Sequence, residues 1–427
     1  MIRNQEWEVS FDESFENNGD SNFLTSFRFF MYQCLNISVS LDAAYRMAGQ
    51  ESASGEECLG ASSNNVAACG MLPELEDTIR HLHKLVGNAN VDPDRHIVLS
   101  FGSTQLINAA AFALLDRDNG TESVITAGKA PRYGDYQETG IYFNSELFRW
   151  ENEDEDFTGK RVIEYITHPN NPDGSLRVRS VPDSFAVWDH AYYWPHFTPI
   201  TGPVGEGERY KDSDVVLFTL SKMTGHAGTR LGWAITKDAE VARRMAEFIK
   251  MTTNSLSREV QLRANALLTH IVKTDGKIFN YAADEMERRW DKLTSIFGNG
   301  PEPGLDKKDI FSLQTLEESA YCNFRKAVKR PSPAYVWFTC NREEEANYVL
   351  DKKTVRERVA NYGIPSDPSR YGEEVGCYAH ILHHSVSTSK GNSYGAGQES
   401  VRIEMLERKE DFDLVAERLE KMVVDMN

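Results

Sequence analysis

A single lysine, Lys222, closes the apolar run "VVLFTLS" (215–221), and Gly225, Gly228 and Gly232 follow it around one arginine, Arg230. Lysine is rarely buried without a partner, so one that ends a core strand either drifts to the surface or serves a ligand. Held away from water, its amine is the kind that forms a Schiff base. Arg230 is permanently charged and forked, which suits a phosphate, and the glycines let the backbone approach closely. The order is not that of a Walker loop, whose lysine follows its glycines.

Four further stretches carry chemistry. In "SFGSTQ" (100–105), Gly102, Ser103 and Thr104 lead into a helix. Free N–H groups and two hydroxyls could close on an anion there, or simply cap the helix. Asp189 ends "FAVWD" (185–189), and a carboxylate in that place needs a partner: a protonated pyridine nitrogen, or a structural arginine. Tyr192, in "AYYWP", puts a phenol one short step away. Asn170 and Asn171 in "THPNNPDG" (167–174) could donate to a ligand oxygen, though the stretch is also excellent turn sequence. Arg402, inside "SVRIEML", would grip a carboxylate with two parallel bonds or form an internal ion pair. Phosphate loop, asparagine, aspartate, lysine and two arginines together fit pyridoxal phosphate.

These residues need strands that end near one another. Short apolar runs recur at 96–101, 123–127, 161–167, 185–189, 215–220 and 231–236. Their hydrophobicity is continuous, which predicts strands covered on both faces in a mostly parallel sheet. Helical spacing predicts helices in "PELEDTIRHLHKLVG", "GSTQLINAAAFALL", "DAEVARRMAEFIK", "SREVQLRANALLTHIVK" and "KIFNYAADEMERRWDKLTSIF". Further on, "AYVWFT" and "SVRIEML" read as strands and "EDFDLVAERLEKMVVDM" as a last helix. The expected class is α/β: a large cofactor-binding domain over 71–300, its mostly parallel sheet flanked by helices, and a small α+β domain built from both chain ends. Residues 1–70 are expected to form an N-terminal arm and part of that small domain, with 46–70 as a Gly/Ser/Ala-rich loop, and 301–427 the rest.

The 427 residues exceed one usual core, which supports two domains. A net charge of −18 without a basic stripe argues against nucleic-acid or anionic-membrane partners. No run reaches membrane-spanning length, and the acidic start "MIRNQEWEVSFDESFENNGD" reads as neither a secretory signal nor a transit peptide. The six cysteines lack metal-type spacing and are expected as reduced thiols, with a cytoplasmic address.

From about residue 71 onward the chain resembles the alliinase and tryptophan-aminotransferase-related proteins, within the aspartate-aminotransferase-like group of pyridoxal-phosphate enzymes. The resemblance rests on "PELEDTIRHLHKLVGNA", "THPNNPDG", "DHAYYWPHFTPIT", "LFTLSKMTGHAGTRLGWAITKD" and "YCNF…RPSPAYVW". It implies that Lys222 carries the cofactor, Asp189 pairs with its ring nitrogen, and Asn171 and Tyr192 touch its phenolic oxygen. It assigns the phosphate to Ser103, Thr104, Ser221 and Arg230 with Thr219 assisting, ring stacking to Tyr133 of "APRYGDY", and the substrate α-carboxylate to Arg402. Tyr45 matches a tyrosine that reaches the neighbouring subunit's phosphate, which implies a homodimer. The segment after Asn36, "SVSLDAA", and the stretch 46–70 depart from the family pattern.

Freed from the cofactor, Lys222 is then the expected base for the substrate's α-proton. Two outcomes diverge from there: transfer of the amino group of an aromatic, tryptophan-type L-amino acid to a 2-oxo acid, or expulsion of a sulfur substituent as in alliinase. A non-catalytic, cofactor-binding role is the third reading.

Overall fold

The computed structural model describes residues 70–115, 124–142, 147–151, 156–297, 310–360 and 372–425. Tyr45, the N-terminal arm and the 46–69 loop lie outside them.

The first helix, α1 (Pro73–Val86), shows how the sequence sets its own ends. Pro73 stands in its first turn beside Glu74 and Glu76, and Gly87 closes it in the left-handed region at φ 73°. Leu75, Ile79, Leu82 and Val86 form its buried stripe. Seven strands then build one sheet: β1 (His96–Ser100), β2 (Val124–Ala127), β3 (Phe148–Trp150), β4 (Val162–Thr167), β5 (Phe185–Asp189), β6 (Val215–Thr219) and β7 (Gly232–Thr236). Their order is β1-β7-β6-β5-β4-β2-β3. The pairs from β3 through β6 are parallel, and β7 runs antiparallel to both β6 and β1. The three-residue β3 was too short to read from hydrophobicity.

Continuous apolar runs have the expected cause. Val187, Val215, Leu217 and Ala234 pack under α2 (Ser103–Leu114) and α5 (Ala239–Thr253). The alternate residues Trp188, Val216, Phe218 and Trp233 pack on the opposite face with α1 and α6 (Arg258–Lys273). Helix α3 (Asp135–Tyr142) follows β2, and a single turn, α4 (Leu220–Met223), follows β6.

Helix α7 (Lys277–Phe297) leads to a second, four-stranded antiparallel sheet. Its strands are β8 (Phe311–Leu313), β9 (Tyr335–Cys340), β10 (Ser389–Lys390) and β11 (Ser400–Glu404), in the order β10-β11-β9-β8. Helices α8 (Cys377–His383) and α9 (Lys409–Asp425) complete this part. Arg289 of α7, fully buried, donates to the carbonyls of Met405 and Glu407 at 2.6 and 2.7 Å and so ties α7 to the chain leaving β11.

The expectation of reduced thiols fails for two cysteines. Cys340 and Cys377 form a disulfide, with Cα atoms 5.7 Å apart. Their separation of 37 residues gives no sign of it; only the folding of β9 against the start of α8 brings them together. Cys322 is a buried free thiol, and Cys34, Cys58 and Cys69 lie outside the described residues.

Candidate active site

Strands β4, β5 and β6 end on the same edge, and the chain beyond each end turns into one cavity of about 370 Å³. Ser103, Thr104, Tyr133, Asn171, Asp189 and Tyr192 line it, as do Thr219, Ser221, Lys222, Arg230 and Arg402. The sequence-predicted residues within the described chain thus converge, with two exceptions: Gly102 and Asn170 are not part of the lining.

The lysine is placed by a cap. Thr219, the last residue of β6, accepts the N–H of Ser221 on its hydroxyl at 3.2 Å and starts α4. One turn later Lys222 points its ammonium into the cavity, 3.3 Å from the Tyr335 hydroxyl. The ring of His196 is fully buried nearby, and burial brings that imidazole down to about 3, so it is neutral.

Asp189 accepts from the Tyr136 hydroxyl at 2.8 Å and from the Ala191 N–H at 3.0 Å. Burial pushes its carboxyl above its ordinary value, against the pull of those two bonds and of Lys222. None of the described arginines pairs with it, so the structural-arginine reading has no support. Tyr136 also meets the Thr167 hydroxyl at 2.7 Å.

The asparagines divide their work. Asn170 turns away, donating to the Pro131 carbonyl and to Asp173. Asn171 faces the cavity and accepts from Arg402 at 3.1 Å. Tyr133 lines the cavity with its hydroxyl bonded to Asp135.

At the other end, α2 begins without a side-chain cap, leaving the N–H groups of its first turn directed at the cavity edge. Arg230 adopts a left-handed backbone, φ 52°, which brings its guanidinium over Gly102. A Cβ at Gly102 would stand 2.8 Å from that guanidinium, and one at Gly232 would meet the Gly102 backbone at 2.9 Å. The glycines therefore permit a three-way approach of β7, the start of α2 and Arg230. This is an anion site built from helix N–H groups, hydroxyls and one guanidinium.

Arg402 comes from the second sheet. Its guanidinium lies 3.9 Å from the centre of the Tyr335 ring. Its Nε–H is buried without a partner among the described residues, and no described carboxylate pairs with it. A buried donor left open is costly unless a ligand satisfies it, which favours the carboxylate reading over an internal ion pair.

The sequence reading missed Tyr335, Tyr136 and Glu404, which also lines the cavity. Tyr136 lies in the first turn of α3, which Tyr133 precedes, and no local pattern marks it as a partner of Asp189. Tyr335 is brought in by register alone: on β9 it stands opposite Glu404, and Trp337 opposite Arg402.

An amine, a buried acid, an anion cradle and an open guanidinium around one space fit pyridoxal phosphate with an amino acid beside it. The comparisons with known proteins point the same way. A family model named Alliinase_C, described as "Allinase", matches residues 53–363 and 369–423. An alliin lyase of Allium cepa var. aggregatum is 33% identical over 366 residues, covering 82% of this chain and 71% of its own. Tryptophan aminotransferase-related protein 4 of Arabidopsis thaliana is 33% identical over 361 residues, covering 82% and 68%. Among solved structures, an aspartate aminotransferase tetra mutant of Thermus thermophilus superposes with a TM-score of 0.53 at 16% identity, over 82% of this chain and 86% of its own. That likeness concerns the fold.

Proposed function

The chain belongs to the alliinase family, pyridoxal-phosphate enzymes of the aminotransferase or carbon–sulfur lyase type, and from that premise we propose that it transfers the amino group of an aromatic, tryptophan-type L-amino acid to a 2-oxo acid. When bound, pyridoxal phosphate supplies an aldehyde that condenses with amines and a ring that accepts the electrons released at the substrate's α-carbon. Lys222 would hold it, Asp189 would keep its ring nitrogen protonated, and Tyr192 and Asn171 would meet its phenolic oxygen. Its phosphate would sit among Ser103, Thr104, Ser221 and Arg230, with Thr219 assisting, and Tyr133 would stack on its ring.

Arg402 would clamp the substrate carboxylate and thereby fix the α-hydrogen towards Lys222, which would take it as the base. One observation carries this reading: Lys222 and Arg402 line the same cavity, and no described carboxylate pairs with Arg402. The same clamp serves the amino acid and the 2-oxo acid, and the Tyr335 and Tyr192 rings offer an aromatic wall.

Carbon–sulfur lysis is the second reading, favoured by the alliin lyase relative; it needs the same proton removal and then loss of a sulfur group. A purely non-catalytic role is set aside by family membership. Incubation with L-tryptophan plus a 2-oxo acid, and separately with an S-alkyl-cysteine sulfoxide, separates the two. A new oxo acid from the first supports transamination; pyruvate from the second alone replaces it with lysis. Loaded protein should absorb in the visible, and borohydride should fix the cofactor covalently in the wild type but not in Lys222→Ala. Fixation in the variant would remove Lys222 from its role.

We further propose a homodimer, which sedimentation checks. The cytoplasmic address expected from the sequence is kept as a proposal, which fractionation of cells expressing the full chain checks.

A further inference from the structure

Three polar groups meet at one point on the boundary between the two sheets. The Tyr335 hydroxyl is 3.3 Å from Lys222 Nζ and 2.9 Å from the Tyr192 hydroxyl. A protonated lysine can only donate, so Lys222 donates to Tyr335. The Tyr335 and Tyr192 hydroxyls share a second bond, in which either can be the donor.

We propose that Tyr335 is a positioning residue whose hydroxyl joins the Lys222 side chain and the Tyr192 phenol, so that the Tyr192 hydroxyl, and the lysine amine whenever it is free of the cofactor, are held at fixed places on the cavity wall. The same residue has a second, separable use. Its ring, not its hydroxyl, lies under the Arg402 guanidinium at 3.9 Å. Stacking of this kind fixes the guanidinium plane while leaving its edge free for a carboxylate. One side chain thus serves proton handling through oxygen and carboxylate recognition through carbon. The inference rests on the pyridoxal-phosphate reading above, because the group that Tyr192 meets is taken to be the cofactor's ring oxygen.

Two variants divide the roles. Tyr335→Phe keeps the ring and removes the hydroxyl. In the cofactor-loaded protein the pH midpoint of the visible band should move by at least about half a unit, because Tyr192 loses its hydroxyl partner and its bond to the cofactor's ring oxygen changes strength. The other ionisable groups facing Tyr192 are Arg402, Asp189 and Lys222, and the substitution leaves all three in place. Turnover, kcat, should fall about tenfold through loss of lysine placement, with KM changed by less than about twofold. Tyr335→Ala removes the ring as well, and KM should then also rise about tenfold.

Thermal unfolding of both variants without cofactor shows whether they are folded. Equal loss of stability with neither the midpoint nor the kcat and KM pattern moved would mark Tyr335 as packing only and overturn the inference. A wild-type protein that shows no visible band on addition of pyridoxal phosphate would instead overturn the function proposed above. A wild-type band with an unmoved midpoint in Tyr335→Phe sinks Tyr335 alone.

Discussion

Two strand systems supply the cavity, and they hold their side chains by different means. On the seven-stranded side, Asp189 and Lys222 stand just past strand ends and are fixed by short-range bonds. Asp189 takes the Ala191 N–H, and Lys222 rides on a turn capped by Thr219. On the four-stranded side, Arg402 and Tyr335 lie on adjacent antiparallel strands and are fixed by stacking on each other. Three side-chain bonds join the two systems across the cavity: Arg402 to Asn171, Lys222 to Tyr335, and one between the Tyr192 and Tyr335 hydroxyls. Backbone-anchored groups are held tightly and suit chemistry; a stacked pair can be retuned without disturbing the sheet that carries out the reaction. In the proposed mechanism the first system handles protons and the second recognises carboxylate, with Tyr335 alone reaching from the second into the first.

The sharpest blow to that division is Asp189→Asn. It should lower kcat about a thousandfold with little change in KM, measured by steady-state turnover. It should also stabilise the cofactor-free protein. The folded carboxyl is raised by burial, so a charged Asp189 opposes folding at neutral pH. That penalty is absent below about pH 4, where both states are protonated, and grows as the pH rises towards the folded value. Calorimetry of wild type and variant at pH 4 and pH 7 checks the sign; a variant less stable at pH 7 would contradict it.

Next in size is the brace on the recognition side. Cys377→Ser opens a bond whose ends are 37 residues apart, and loop entropy predicts a loss of about 3–4 kcal/mol in unfolding free energy. Chemical denaturation measures it. Near-normal turnover of the folded protein would keep stability and chemistry apart; a matching fall in kcat would merge them.

Arg402→Lys loses the planar fork and the stacking on Tyr335, so KM should rise about tenfold or more while kcat stays within about threefold. An effect mainly on kcat would blur the division of labour. The smallest effect belongs to Tyr136→Phe. It removes one bond to Asp189, worth about 1 kcal/mol, and should cost about fivefold in kcat with KM unchanged.

The two systems also differed in how far the sequence disclosed them. Asp189, Lys222 and Arg230 were legible because each breaks an apolar or glycine-rich local pattern, and burial of both sheet faces explains the uniform runs before them. Arg402 was visible as a charge inside an apolar strand. Tyr335 was not, since a tyrosine in "AYVWFT" is ordinary strand composition and its meaning depends on standing two register pairs from Arg402 on the neighbouring strand. Likewise the Cys340–Cys377 bond is written in three-dimensional adjacency, not in spacing. Local anomalies are readable; cross-strand partnerships are not.

The excursion from β6 to β7 has a consequence of its own. Thr219 pairs with Gly232, and the Leu220 N–H bonds to the Leu231 carbonyl at 3.0 Å, so the loop is pinched shut at its base. Lys222 and Arg230 both lie inside that closed ring. The span between amine and guanidinium is therefore set by loop length alone, as on a gauge, whatever the rest of the sheet does. One residue added or deleted between them would misfit the rod-like distance from an aldehyde carbon to a phosphate while leaving every strand intact.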